Sequence, residues 1–377
     1  MRVLIDCTQI SRLKAGVGVY AINLVRELIG LNADMRLWLL VQDDDPEFLF
    51  DDDCVTVVRV PARSFRRLPF RFLLEQAYIP WLCYKYRIDV VHSLHYAFPL
   101  IPLRARKVVT VHDMTSFKFP EVHTRFRGLY YRFFLRASRR GADHLLFVSR
   151  STHNDYQRKF HRNDESCHVA MLGTGPEFHA HLDLQRVDTT LQKYEVKKPY
   201  ILYVGTLEPR KNLTRLVEAF AGLVRGYPDH TLIIAGKKGW MYDKLFETVH
   251  ATHMDERVKF LGFIPEEDKP YLIRGAQIFA YPSLYEGFGI PVLEALSCGT
   301  PVLTSNVSSL PEVAGDAALL CDPMSTEALS SGLARLLASP ELRKTLSFIG
   351  LAQAKKFNWK TTAEETYAAY CKAMSQC

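Results

Sequence analysis

The chain has 377 residues, 48% hydrophobic and 24% charged, with a formal net charge of +7. That length exceeds one ordinary core and points to two domains, and the composition excludes a disordered or fibrous chain. No apolar run approaches the roughly 20 residues that a membrane-spanning helix needs, and the apolar start Met1–Asp6 is too short for a signal peptide, so a cytoplasmic protein is expected.

In chain order, Val3–Cys7 reads as a buried strand, Val17–Ile29 as an amphipathic helix and Leu37–Val41 as a second strand. The acidic run Asp43–Asp53 reads as a solvated loop, because its carboxylates lack an ordered ligand frame. Further strands are expected at Val55–Val58, Val90–His92, Val108–His112, His144–Val148 and His168–Met171. Turn residues cluster at Leu172–Phe178, where a domain boundary is expected. Beyond it come strands Ile201–Val204, Thr231–Ala235, Val258–Leu261, Gln277–Tyr281 and Pro301–Leu303. Between the first two of these, Leu213, Leu216, Val217, Phe220 and Val224 repeat at helical spacing, with Asn212 placed to cap the helix. Strands alternating with helices imply parallel βαβ units. The expected fold class is therefore α/β, with two Rossmann-like doubly wound domains facing across a cleft, residues 1–173 and 174–359. Residues 1–175 hold 26 Lys+Arg against 18 Asp+Glu and the remainder 22 against 23, so the positive charge belongs to the first domain.

The densest candidate site is Glu286-Gly-Phe-Gly-Ile-Pro-Val-Leu-Glu294. A buried strand at Ala276–Tyr281 leads into it, Pro291 suits a first helical turn, and Glu294 falls about one turn into that helix. Such a corner presents backbone N–H groups and a positive helix end at the carboxyl edge of a sheet, which is an anion site. Two carboxylates beside an anion site are consistent if the anion carries hydroxyls, as a nucleotide sugar does. In Gly205-Thr-Leu-Glu-Pro-Arg-Lys-Asn212, two cations stand just before a helix start. There they oppose the macrodipole by a few tenths to about 1 kcal/mol each unless an anion is bound. Arg210 and Lys211 are thus either exposed charges or diphosphate ligands, and both corners end strands of one sheet.

Gly16 and Gly18 lack the third glycine of a dinucleotide fingerprint, so they mark either a plain turn or a close backbone approach to a ligand. His112 and Asp113 end a strand and read as a substrate contact or a local hydrogen bond; no nucleophile elbow or H-E-x-x-H accompanies them. The 8 cysteines form no C-x-x-C and no zinc-like spacing, so reduced thiols and no metal are expected. Arg125–Arg140 is basic and aromatic, with Arg132, Arg136, Arg139 and Arg140 on one helical face, and Arg63–Phe72 is similar. An anionic lipid surface, a nucleic-acid patch and a solvated face over core aromatics are all compatible with it, and the mixed aromatics favour lipid.

Together these segments resemble glycosyltransferase family 4, and within it the bacterial mannosyltransferase-like members that build polysaccharides. The resemblance runs nearly end to end, through the Gly16/Gly18 loop, Val111–Asp113, Gly205–Leu213, Ala235–Trp240 and Pro282–Pro301. It implies the GT-B fold: an acceptor-binding N-terminal half, a donor-binding C-terminal half, and a last helix (about 360–377) that crosses back to the first domain. It implies that Arg210 and Lys211 bind the donor diphosphate. Glu286, with the backbone of Gly287, Phe288, Gly289 and Ile290, would hold the transferred sugar, and Glu294 the ribose hydroxyls. His112 would contact the sugar near the reacting carbon, and Gly16 and Gly18 would admit the phosphates. The catalytic set is then His112, Glu286, Arg210 and Lys211. The implied activity is retaining, metal-independent and cofactor-free transfer of mannose from a nucleotide-sugar donor, GDP-mannose, to a lipid-linked saccharide in O-antigen, capsule or exopolysaccharide synthesis. It would run peripherally at the inner face of an anionic cytoplasmic membrane, with no nucleic acid. Three alternatives stay open: a UDP-glucose or UDP-N-acetylglucosamine donor, a nucleotide-sugar epimerase of the same fold, and a non-catalytic basic membrane-surface binding protein.

Overall fold

The computed structural model describes residues 1–10, 16–31, 33–45, 48, 50, 52–65, 68–122, 124–162 and 165–375. Ala15 of the glycine loop, four residues of the acidic run (Pro46, Glu47, Leu49 and Asp51), Arg66 and Arg67 of the first basic stretch, and positions 376–377 of the last helix lie outside these. The chain divides into two compact units, Met1–Gly173 with Asn358–Cys377, and Thr174–Phe357.

The first unit is built on β1 (Arg2–Asp6), β2 (Arg36–Gln42), β3 (Val55–Val60), β4 (Val90–Ser93), β5 (Arg106–Val111), β6 (His144–Phe147) and β7 (Cys167–Val169). They form one parallel sheet in the order β3-β2-β1-β4-β5-β6-β7. Val3 registers with Leu37 on one side and Val90 on the other. The central strands are apolar on successive residues because helices cover both faces of a parallel sheet. Val3, Leu4 and Ile5 are fully buried, as are Val108 and Val109. The helix Trp359–Ser375 packs on the helix Val17–Gly30 and against β5, β6 and β7.

The second unit carries β8 (Tyr200–Val204), β9 (Thr231–Ala235), β10 (Val258–Gly262), β11 (Ile278–Tyr281), β12 (Val302–Ser305) and β13 (Ala318–Cys321). Its parallel order is β10-β9-β8-β11-β12-β13. In each unit the winding direction reverses beside the first strand, between β1 and β4 and between β8 and β11. Ligands of open parallel sheets bind outside the carboxyl ends of the strands at that reversal. The segments just past those ends are Cys7–Gln9 and Leu94 in the first unit, and Gly205–Lys211 and Pro282–Gly289 in the second.

Several elements depart from the sequence expectation; β5 runs Arg106–Val111, so His112 lies past it, and the helix after β8 ends at Ala221, short of Val224. β13 is an edge strand of only four residues, buried at its two ends and open between, too short for a periodic signal. β7 begins and ends earlier than His168–Met171. Residues 68–85 form a nearly continuous helical run, Leu68–Leu73 and Ile79–Lys85 joined by a π-turn at Leu74–Tyr78. Among the described residues no helix is long and apolar enough to cross a membrane.

Candidate active site

β11 ends at Tyr281, and the chain turns through Pro282–Gly289 into the helix Ile290–Ser297, with Pro291 in its first turn. Gly289 caps that helix with φ 110°, a left-handed conformation that a side chain would strain, and a Cβ there would lie 2.8 Å from Leu310 Cδ2. The loop is tied from the neighbouring segment. Glu286 N–H donates to Ser308 Oγ at 3.0 Å, and the Ser309 hydroxyl lies 3.0 Å and 2.7 Å from the carbonyls of Glu286 and Phe288. In the first turn Pro291 has no N–H, and the Val292 and Leu293 amides donate to the Gly289 carbonyl at 3.0 Å and 3.3 Å.

Glu286 lies between the two cations of the adjacent corner. Lys211 Nζ is 2.6 Å from its Oε1, and Arg210 Nη1 is 2.9 Å from its Oε2. Lys211 also donates to Tyr281 Oη at 2.8 Å, and Arg210 pairs with Glu208. Burial by itself would raise the Glu286 pKa, but Arg210 and Lys211 outweigh it and hold the carboxyl down at about 2. Glu286 is therefore an anion at neutral pH, fit to accept hydroxyls and unfit to donate a proton.

Two expectations change here. Glu208 and Glu286 already supply the countercharge for Arg210 and Lys211, so the two cations do not by themselves require a bound anion. Asn212 does not cap the next helix with its side chain. It adopts φ 62°, and its amide donates to the carbonyls of Pro282 (3.1 Å) and Pro323 (2.7 Å), pinning the two corners together.

Glu294 sits one turn into the helix, 2% exposed. Lys269 Nζ lies 2.8 Å from its Oε1 and 2.6 Å from Glu266. Glu294 Oε2 is buried with no hydrogen-bond partner among the described residues. An unmet buried carboxylate oxygen is costly, and a hydroxyl donor would satisfy it. A separate cavity of about 460 Å³ shares Glu208 and Asn212 with this region, but neither Lys211, Glu286 nor Glu294 lines it. Among the described residues no group of three or more His, Cys, Asp or Glu side chains is arranged to hold a metal ion.

The remaining predicted residues lie in the first unit. Gly16, at φ 48°, caps the helix Val17–Gly30, and Gly18 is buried in its first turn. His112 follows β5 and is buried, its Nε2 2.7 Å from the Leu94 carbonyl. A carbonyl only accepts, so Nε2 carries the proton in neutral His112 and Nδ1 keeps its lone pair. Burial pushes the imidazole below its usual range. Asp113 bonds elsewhere, accepting from Tyr96 Oη at 2.9 Å and Thr115 N at 2.8 Å.

The basic stretch forms the helix Arg125–Gly141. Its four arginines are not equivalent: Arg132 is half-buried and donates to the Ser116 carbonyl at 3.3 Å, while Arg136, Arg139 and Arg140 are exposed, Arg136 lying over the Phe117 ring at 5.1 Å. Phe126, Leu129 and Phe133 of the same helix are 78%, 62% and 49% exposed, whereas its Phe134 is a core aromatic.

Sequence reasoning missed Lys269, Tyr281, Ser308 and Ser309. Lys269 had a signal, a lysine shortly after β10 near the same sheet edge. The others hold the loop by contacts that no spacing rule anticipates.

A family model described as Glycosyltransferase Family 4 matches residues 15–174, and one described as Glycosyl transferases group 1 matches residues 188–350. The chain is 33% identical over 381 residues to O-antigen chain mannosyltransferase B of Escherichia coli, covering 98% of this chain and 99% of that protein. Among solved structures, sucrose-phosphate synthase of Thermosynechococcus elongatus superposes with TM-score 0.79 at 19% identity, over the full length of both chains. HepE of Anabaena, in complex with UDP-glucose, does so with TM-score 0.77 at 18% identity over 99% of this chain and 100% of that one. These two likenesses show the shared fold. With both domain models matched and a full-length relative at 33% identity, the chain belongs to glycosyltransferase family 4 and has the GT-B fold.

Proposed function

We propose that this glycosyltransferase moves mannose from GDP-mannose to a lipid-linked saccharide, forming an α-linkage with retention, in the synthesis of a surface polysaccharide such as O-antigen. The observation that carries the mannosyl reading is the full-length identity to O-antigen chain mannosyltransferase B.

The residues of the second unit support the chemistry. Breaking the bond between C1 and the phosphate oxygen leaves negative charge on the diphosphate, and preorganised cations and helix amides stabilise that charge where it develops. Arg210, Lys211 and the amides at Gly287, Phe288, Gly289 and Ile290 take that role. Ionised Glu286 accepts hydroxyls of the sugar, and the unmet oxygen of Glu294 accepts from ribose. The acceptor oxygen bonds C1 on the face that the diphosphate leaves, and its proton passes to the departing phosphate oxygen. His112, neutral and holding Nδ1 as an acceptor, contacts the sugar near C1, with Gly16 and Gly18 beside the phosphates. Both cations pair with Glu286, so a bound diphosphate would compete with this carboxylate for them.

The acceptor lipid would be met at an anionic membrane surface by the helix Arg125–Gly141, where Arg139 and Arg140 stand with exposed Phe126, Leu129 and Phe133. Aromatic and arginine side chains on one amphipathic helix suit an interfacial contact.

Calorimetric titration with GDP, UDP, GDP-mannose and UDP-glucose in EDTA tests the donor. Tight GDP and GDP-mannose binding that weakens in Arg210→Ala supports it. A UDP preference replaces the donor and leaves the fold and site in place. Absence of binding to all four moves the reading to a non-catalytic surface-binding protein.

A further inference from the structure

Beneath His112 runs a buried chain of side chains that the transfer chemistry does not use. Tyr20, on the helix Val17–Gly30, lies edge-on to the His112 ring, with centroids 5.0 Å apart and planes at 83°. Its hydroxyl is 3.1 Å from Thr110 Oγ1, two residues before His112 on β5. Thr110 Oγ1 is 2.8 Å from Nε2 of His92 on β4, and His92 Nδ1 is 2.6 Å from Tyr370 Oη on the last helix. All four residues are at most 1% exposed. The same helix meets Tyr20 at its other end, where the Trp359 ring lies 6.2 Å away.

These bonds have one sense at a time. Burial, with His112 nearby, pushes His92 down to about 3, so its imidazole is neutral and has one N–H and one lone pair. Tyr370 donates to His92 Nδ1 when Nε2–H donates to Thr110 Oγ1, and accepts from Nδ1–H when Thr110 donates to Nε2. Removing one member therefore unsettles the others, as expected of a buried network in a low-dielectric interior. His112 is held at Nε2 by the Leu94 carbonyl, and its ring packs on Tyr20 and, at 6.2 Å, on His95. The Tyr20 contact is the one the hydrogen-bonded chain carries on to the last helix.

We propose that Tyr20, Thr110, His92 and Tyr370 act as positioning residues that set the ring orientation of His112 from the seat of the C-terminal helix. The inference rests on the reading of His112 as a donor-sugar contact. Helix Trp359–Ser375 follows the second unit directly in the chain yet packs on the first. Tyr370 lies in that seat, and the chain through His92 and Thr110 joins it to Tyr20 beside His112.

The test is Tyr370→Phe, with Thr110→Val as a near-isosteric second cut in the same chain. Imidazole nitrogen resonances of His112 in the full-length protein should shift in both variants, while urea unfolding confirms an intact fold. With donor and acceptor saturating, kcat should fall by about threefold to tenfold with KM for the donor little changed, as displacement of a reacting-site group does. In the His112→Ala background the same substitutions should cause no further loss of kcat, because coupled residues are non-additive. Unchanged His112 resonances in both folded variants overturn the proposal. Equal losses of kcat with and without His112 also overturn it. If His112→Ala itself leaves transfer intact while the resonances shift, the network stands and the catalytic reading of His112 fails instead.

Discussion

Lys269 Nζ stands 2.8 Å from Glu294 Oε1, and both side chains are buried. Removing one partner of a buried ion pair strands the other charge, whereas removing both leaves an apolar site. Lys269→Met should therefore destabilise the protein by roughly 3–5 kcal/mol, and Lys269→Met/Glu294→Leu should recover most of that loss. Urea denaturation of the two variants checks it. The double variant should still bind the donor more weakly, since it has lost the ribose-facing carboxylate; wild-type affinity in it would remove Glu294 from the site.

Glu286 is held ionised at about pH 2 by its two cations. Glu286→Gln should lower kcat by roughly 10²–10³, the scale of losing one preorganised electrostatic contact. The fold should survive in the circular-dichroism spectrum. The depressed pKa makes a second, signed prediction. The stability that ionised Glu286 contributes is complete above the ordinary glutamate value of 4.5 and is lost as pH falls from there towards 2. No limb from this residue should appear in a pH–rate profile between pH 5 and 9.

Glu75 behaves in the opposite way. It is fully buried on the π-turn, with Arg71 Nε 2.7 Å from its Oε1, Gln9 Nε2 at 3.5 Å, and the Tyr130 hydroxyl donating to its other oxygen. Asp6, 3.3 Å from Arg71, gives the cluster two carboxylates for one guanidinium. Burial, only partly offset by Arg71, raises the Glu75 carboxyl to about 7. The folded state then holds a proton that the unfolded chain has released, so stability falls as pH rises from 4.5 to 7. At 1.36 kcal/mol per tenfold change the loss is at most about 3 kcal/mol. In Glu75→Gln, which imitates the protonated form, the slope of unfolding free energy over that window should flatten. An unaltered slope would place the proton elsewhere.

The helix Arg125–Gly141 separates charge from engagement. Arg132 and Arg136 make internal contacts, so replacing them would mix folding with surface effects. Phe126→Ser/Leu129→Ser and Arg139→Ser/Arg140→Ser each alter exposed side chains. Each pair should reduce cosedimentation with vesicles of anionic lipid by severalfold, the arginine pair only at low salt, where surface charge is least screened. Full pelleting of all variants would remove the membrane surface from the proposed function.

Much of this was legible in the chain. The apolar runs at Val3–Ile5, Ile201–Val204 and Ile278–Tyr281 could only be strands buried on both faces, and their alternation with helical periodicity implied parallel sheets. Pro291 marked the helix start because its missing N–H costs nothing in a first turn. Glu286, Arg210 and Lys211 were legible as members of two adjacent strand ends. Their mutual bonding was not, since pairing across roughly 75 residues depends on which strands lie side by side.

The sequence by itself determined what local physics dictates: the periods of strands and helices, the helix start at Pro291, the basic aromatic helix, and the types of residue at each sheet edge. The tertiary structure decided what each charge does. It gave Arg210 and Lys211 an internal anion, left Glu294 Oε2 without a partner, moved Asn212 from cap to clamp, and joined Tyr370 to Tyr20 through His92. Those outcomes depend on distances of about 3 Å between residues far apart in the chain. Burial then sets their strength by removing the water that would otherwise compete.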